Sequence, residues 1–351
     1  MALTTYHKFV SPKIGGADTS KLRPEDWNAA HKYTGGANGH VLVRDTSDAT
    51  YGGAFLETGV IYVDHPAFSV LGAGAIQAAV NAAVALSGSI VQLGPHNYNI
   101  TAPVTVNMGS ANFNIQIRGA GKRATTITQL TAATDIFQVG ATGAEVADAL
   151  YFGDMKLIGG RYALNLNNAL VGIFERLQIE GSTVGIYMQG QNESHAFRDI
   201  VFVGATQNAM LGGQTNGGPG TVLDKPVVQK CVFEKLRVTG TSGGTGIVIT
   251  AGVLGAQQSS GYNHFKDLLF ESNQRGALEL DYAFSTFIDG MSTEEAPSAH
   301  NTYDQLLIDN NSTVHASHLA LGKPSGGNNS RYFVNVNSGQ LFLERRQERM
   351  V

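Results

Sequence analysis

The sequence predicts an all-β chain: a right-handed, single-stranded parallel β-helix, a solenoid of short strands capped by one short N-terminal helix. Three observations lead there. A motif of the form aromatic, any, polar, aliphatic, any, apolar recurs through the middle of the chain. A second short apolar strand follows each of the first five copies, and only one segment carries a strong helical period. A unit of this size cannot bury its own apolar face, so successive units must stack. Strands repeated in one chain direction without intervening helices close a right-handed coil rather than a sandwich.

Taken in order, residues 1–60 are rich in Gly, Asp and Thr, carry the only tryptophan in RPEDWNAAHKYTGG, and read as a small separate module. From Gly74 to Leu86, the residues Ile76, Ala79, Val80, Ala83 and Val84 fall on one helical face, which predicts the capping helix. Next, Ile90, Tyr98, Ile100, Val104 and Val106 sit among polar residues and Gly/Pro/Asn interruptions, as in two or three brief strands. The repeat then runs YFGDMKLIGG, IFERLQIEGS, AFRDIVFVGA, VFEKLRVTGT, HFKDLLFESN and TYDQLLIDNN. Phe152, Phe174, Phe197, Phe233, Phe265 and Tyr303 form its aromatic column, and Met155, Leu177, Ile200, Leu236, Leu268 and Leu306 its aliphatic one. The division expected is an N-terminal module over 1–60, a parallel β-helix over 61–312 and a C-terminal segment over 313–351. In that last segment, SRYFVNVNSGQLFLERRQERMV suits either an intersubunit strand or a final coil.

The aliphatic pair of each repeat alternates with polar residues, so it should face the interior and leave Asp154, Arg176, Asp199, Lys235 and Asp267 outside. Their signs alternate, which reads as an ion-pair ladder along the stack; the intervening cations count against catalysis by this column. Solenoid coils with minimal turns present flat faces, and insertions build walls. The largest interruptions fall at 204–228, 251–263 and 283–301, and only the third, FIDGMSTEEAPSAHN, clusters carboxylates. Glu294 and Glu295, supported by Asp289, are therefore the candidate catalytic residues, one Glu as general acid and its partner as base or nucleophile; a solvated acidic turn is the plainer reading. Asp281 and Glu193 are weaker candidates, and MQGQNES and GQTNGGPG offer amides to sugar hydroxyls.

Composition excludes several classes. A net charge of −4 from 28 acidic and 24 basic side chains gives no footprint for nucleic acid or an anionic membrane. The single Cys231 forms no intrachain disulfide, and no Cys/His cluster has zinc spacing. GAGAIQ lacks the third glycine and the acid of a dinucleotide site, and GxSxG, P-loop and HExxH motifs are absent. In VHASHLAL, His315 and His318 would point to opposite faces of a strand. No cofactor and no metal are expected. The N-terminus MALTTYHKFV lacks a secretory pattern and no run of apolar residues reaches spanning length, so a soluble product made in the cytoplasm is expected.

GAGAIQAAVNAAVALSG, then SIVQLGPHNYNITAPVTV, then IQIRGAGKRATTITQL, resembles the start of pectin-lyase-like parallel β-helices, above all those of bacteriophage tailspikes. SKLRPEDWNAAHKYTGG is similar to segments near the start of phage tail proteins. The likeness covers about residues 65–310. It implies a homotrimeric tail spike or tail fibre, a virion component attached to tail or baseplate proteins through residues 1–60, that contacts host surface polysaccharide during adsorption. The alternative it implies is a polysaccharide depolymerase, hydrolase or lyase. Gly94-Pro95-His96-Asn97-Tyr98 departs from the usual Pro-x-Gly order, and no set of residues matches a calcium site, so calcium catalysis does not carry over.

Overall fold

The computed structural model describes residues 60–64, 72–86, 88–107, 114–140, 149–214, 227–250, 260–273, 275–294, 304–321 and 334–344. The expected module over 1–60 lies outside them but for its last residue. Sheets of 13 and 9 strands run along a solenoid whose core is a continuous column of apolar side chains, and a third sheet of 4 short strands joins them in the middle coils. The long strands pair in parallel from coil to coil. In the 13-stranded first sheet they are Leu150–Gly159, Gly172–Glu180, His195–Val203, Val232–Thr239, His264–Glu271, Thr286–Glu294 and Thr313–Leu321. The expected second strand of each repeat lies in the nine-stranded sheet, which includes Tyr162–Asn167, Val184–Gln189, Asn208–Gln214, Ile247–Ile249 and Leu278–Asp281.

Helix α1, Ala73–Ala85, buries Ala75, Ile76, Ala79, Val80 and Ala83 over the first coil. Its placement solves an edge problem. Strand Val104–Val106 ends the nine-stranded sheet, and the Gln77 side chain donates to the Thr105 carbonyl at 2.9 Å while accepting from the Thr105 N–H at 2.7 Å. One side-chain amide thus replaces the backbone of a missing strand and satisfies groups that an open edge leaves unpaired.

The repeat motif follows from a bend inside each long strand. Asp154, Arg176, Asp199, Lys235 and Asp267 have φ of 62°, 51°, 49°, 56° and 53°, and Gly290 and His318 continue the column at 91° and 53°. Pairing skips this residue: Glu175 sits opposite Gly153 and Arg198, and the ladder resumes at Leu177 opposite Met155 and Ile200. In an uninterrupted strand, residues three apart face opposite sides. The left-handed residue turns the chain so that Phe152 and Met155 both face the interior, and both are fully buried. Aromatic and aliphatic positions are therefore three apart, and the next apolar position two further on. In the earlier coils the bend is wider: separate strands Ile115–Arg118 and Thr126–Gln129 both pair with Leu150–Gly159.

The buried rings stack as the motif requires. Phe152, Phe174, Phe197, Phe233 and Phe265 follow one another at centroid distances of 5.7, 5.0, 5.1 and 4.5 Å with near-parallel planes. The sixth column member differs from expectation. Strand Leu306–Asp309 belongs to the nine-stranded sheet, and Tyr303 lies outside the described residues. The sixth copy is instead FIDGMSTE, in which Ile288 lies opposite Phe265 and Met291 opposite Leu268. Reading FIDGMSTEEAPSAHN as an interruption failed because an aliphatic replaces the aromatic and glycine replaces the charged bend residue. The first part of that segment is a regular coil.

The ion-pair ladder also shifts. Arg176 holds Asp154 at 2.6 Å, but Asp199 is taken by Lys122 at 3.0 Å, and among the described residues no ion pair reaches Lys235 or Asp267. The alternation that forms pairs lies one residue earlier, where Glu234 meets Arg198 at 3.6 Å and Lys266 at 3.3 Å. Residues immediately before the bend still follow the sheet register. Beyond residue 312 the coils continue: Thr313–Leu321 pairs with Thr286–Glu294, Val334–Val336 with Leu306–Asp309, and Gln340–Leu343 with Thr313–Leu321.

Two predictions follow from these interior constraints. At the exposed bend residue Lys235, substitution to Val should lower stability by about 1–3 kcal/mol, because a β-branched side chain resists positive φ, whereas Gly should hold or raise it. Urea titration checks this; equal effects of the two substitutions would remove the conformational constraint. The second concerns His195, buried edge-on against Phe174 and Phe197 with neither ring nitrogen hydrogen-bonded. Burial pushes its pKa down to about 4. The unfolded chain binds a proton there below about pH 6.5 and the native chain does not until about pH 4, so stability should fall by about 3 kcal/mol between those values. Unfolding midpoints of His195→Leu should lack that part of the acid slope; an unchanged slope would exclude His195 as its source.

Candidate functional site

Two places on the outer surface combine a concavity with chemistry. The first lies on the nine-stranded sheet. Asn165, Tyr187, Leu211, Val248 and Glu279 share one register column, and their neighbours Leu164, Ile186, Met210, Ile247 and Leu278 are buried, so the column faces outward. At its far end a groove of about 490 Å³ has Leu211 and Val248 in its lining together with Asn208, Thr245, Arg275 and Glu279. Thr245 donates its hydroxyl to Glu279 at 3.3 Å, and the Asn208 amide donates to the Thr245 carbonyl at 2.6 Å. Gly243 permits the close approach of that wall, since a Cβ there would lie 2.4 Å from the Thr206 carbonyl oxygen.

Burial raises the pKa of Glu279, and the nearby charges of Asp281 and Asp309 add to the shift, against the lowering effect of the Thr245 hydrogen bond. Asp309 goes the other way: burial would raise it, but donation from the Asn310 N–H, Asn337 and Ser338 holds it below the usual carboxylate range. Further along the face, Tyr187 stacks on Tyr162 with centroids 4.2 Å apart, and the Arg161 guanidinium covers the Tyr162 ring at 4.6 Å. Arg161 is fixed by the fully buried Asp135 at 2.8 Å.

The second place lies on the 13-stranded sheet toward the C-terminal end, a depression of about 350 Å³. Phe287 and His315 in its lining stack at 5.2 Å, and the stack continues beyond it to Phe342, 4.9 Å from His315, with Phe287 44% and Phe342 48% exposed. Asp289 accepts from the Ser317 hydroxyl at 2.9 Å and meets His318 Nδ1 at 3.0 Å. These contacts, His318 foremost, hold the Asp289 carboxyl below its usual range.

The sequence-predicted residues separate in space. Asp289 lies immediately before the bend at Gly290, opposite Lys266 and Ser317, and lines the second depression. Glu294 lies at the other end of the same strand, exposed, opposite Glu271, which Arg237 holds at 2.5 Å. Glu295 and His300 lie outside the described residues. Asp281 accepts from Thr250 at 3.0 Å and Asn310 at 2.6 Å, and Glu193 meets Lys230 at 3.6 Å. Of the MQGQNES amides, Gln189 donates to Asn165 at 3.0 Å. Sequence reading missed Glu279, although ALELDY alternates Leu with acid as an outward strand face does. It also missed the pairing of His318 with Asp289, for the reason that it placed His315 and His318 on opposite faces. The left-handed residue at His318 breaks that alternation, and both line the same depression. Among the described residues no group of three or more His, Cys, Asp or Glu is arranged to hold a metal ion, and no helix is long and apolar enough to cross a membrane.

Parallel coils, a bent long strand and an N-terminal capping helix define a right-handed, single-stranded β-helix of the pectin-lyase-like fold. No protein-family model matches the sequence, and no curated protein matches it. Among solved structures, PfbA, a surface adhesin of Streptococcus pneumoniae, is similar over 76% of this chain and 73% of its own, with 12% identity and a TM-score of 0.53. The alginate lyase from Paenibacillus sp. str. FPU-7 is similar over 80% of this chain and 99% of its own, with 12% identity and a TM-score of 0.50. Tailspike protein 2 from Escherichia coli O157:H7 bacteriophage CAB120 is similar over 77% of this chain and 40% of its own, with 12% identity and a TM-score of 0.45. At such identities the likeness establishes the fold alone.

Proposed function

We propose that this chain is a component of a phage tail spike or tail fibre whose solenoid contacts host surface polysaccharide during adsorption. The observation that carries this reading is the outer face of the nine-stranded sheet. An apolar floor, a few convergent amide, hydroxyl, guanidinium and carboxyl groups, and a stacked tyrosine pair suit the apolar ring faces and the hydroxyls of sugars. From Tyr187 to Glu279 the column crosses three coil steps, about 14 Å at the spacing of paired strands. An extended glycan lying along the solenoid axis can touch both. Residues 1–60 are assigned to attachment at the virion, and the chain to a homotrimer; Phe342 and Leu343, 48% and 67% exposed on the last coil, support self-association. Screening the purified protein on an array of bacterial capsule and O-chain oligosaccharides tests the reading. Glu279→Gln should weaken the recognised glycan about tenfold, the effect of one hydrogen bond to a charged group. Absence of binding to any host polysaccharide would sink the function.

A polysaccharide depolymerase is the second reading. It is favoured by the divergence between Glu279, whose carboxyl holds its proton to higher pH, and Asp289 and Asp309, which lose theirs early. The acid and base proposed from the sequence, Glu294 and Glu295 with Asp289 in support, are tested by the double substitution E294Q/E295Q. New reducing ends or unsaturated uronate absorbance should appear with the parent protein on host polysaccharide and vanish in the double variant at an unchanged melting point. Full activity in that variant would end the assignment.

A further inference from the structure

The contact between Asp289 and His318 has a chemistry that glycan binding does not use. With its carboxyl held ionised by its neighbours, Asp289 can only accept, so Nδ1 of His318 carries the hydrogen across the 3.0 Å contact. When the ring is neutral, that leaves Nε2 with its lone pair, the tautomer a general base requires. An imidazole oriented by a carboxylate is an arrangement that takes a proton from water or a hydroxyl and returns it to a leaving oxygen. His318 occupies the bend column at φ 53°, and the turn carries its ring out from the coil toward Asp289 in the preceding one.

The surroundings select the reaction. Glycosidic cleavage needs a carboxylic acid of raised pKa, and Asp289 in this depression is held the other way, below its usual range. Elimination from a uronate needs a cation over the sugar carboxylate, and among the described residues neither Lys nor Arg lines this depression. Ester hydrolysis needs only a base that becomes an acid, with N–H donors for the oxyanion, and the rings of His264 and His315 line the same concavity. The exposed Phe287 ring, part of the same lining, provides an apolar seat for an acyl group.

We propose that this depression is an esterase site acting on acylated sugars, with His318 as general base and Asp289 as its positioning residue. Nε2 of His318 takes a proton from water as the water oxygen bonds to the acyl carbon. The tetrahedral intermediate then collapses, its bond to the sugar oxygen breaks, and the imidazolium returns the proton to that oxygen. The products are a carboxylic acid and a free sugar hydroxyl, with no oxidant, metal or cofactor consumed. The identity of the alcohol as a sugar rests on the polysaccharide reading above; the hydrolytic step does not.

The test uses the whole chain and 4-nitrophenyl acetate, followed by release of acetate from an O-acetylated bacterial polysaccharide. His318→Asn, chosen because Asn tolerates positive φ, should lower kcat on the model ester by roughly a hundredfold at an unchanged melting point. Asp289→Asn should lower kcat by about tenfold or more with KM unchanged, which loss of folding or of binding would not produce. His96 provides the control, since it meets Asp64 at 3.5 Å on another part of the surface. His96→Gln should leave the rate as it was. Equal rates for the parent, His318→Asn and His96→Gln would overturn the proposal. Ester hydrolysis that depends on His318 without binding to any host glycan would uphold the site and reject the polysaccharide reading. Glycan binding by a protein with no hydrolysis above buffer would do the reverse.

Discussion

A coil of about 22 residues must turn back on itself while keeping each interior side chain in line with the coils above and below. The long strands meet that constraint with one left-handed residue each, placed at the same register position from Asp154 to His318. This rotation brings the phenyl ring and the aliphatic side chain to the same interior, and the ring stack from Phe152 to Phe265 depends on it. It also decides the exterior. Side chains just before the bend remain in the sheet register and form ion pairs between coils, while those at the bend point outward, where Arg176 pairs with Asp154 and Asp199 reaches Lys122.

A solenoid has two ends, and they are treated differently. At the N-terminal end α1 lies over the apolar column, and Gln77 completes the edge of the nine-stranded sheet with a single amide. At the other end, Val334–Val336 and Gln340–Leu343 are the last strands of their sheets among the described residues, each paired on one side, and Leu343 is 67% exposed. Unpaired strand edges and exposed apolar side chains favour association.

The two concavities lie on different sheets and differ in electrostatic character. In the Glu279 groove, burial and neighbouring carboxylates raise the pKa of an acid. In the Asp289 depression, a histidine and a serine keep a carboxylate ionised. The same residue types thus serve opposite roles because one is shielded from water beside like charges and the other is exposed beside hydrogen-bond donors.

How much of this was legible depends on range. The helix over Ala73–Ala85, the interior aromatic and aliphatic columns and the second strand of each repeat are local patterns, and period and composition determined them. The sequence also placed Asp289 among the residues of interest. What it could not decide was register across coils. Ile288 in the aromatic column and Gly290 at the bend look unlike their counterparts, so a regular coil read as an insertion, and Tyr303 and Leu306 were given a place that belongs to Ile288 and Met291. Whether Asp289 meets Glu294 or His318 turns on the left-handed residue between them and on pairing with a strand 28 residues further on. Apolar periodicity fixes which side chains leave water, a property each segment carries alone; contacts between polar groups on successive coils are set by where the chain bends, and only the closed solenoid decides that.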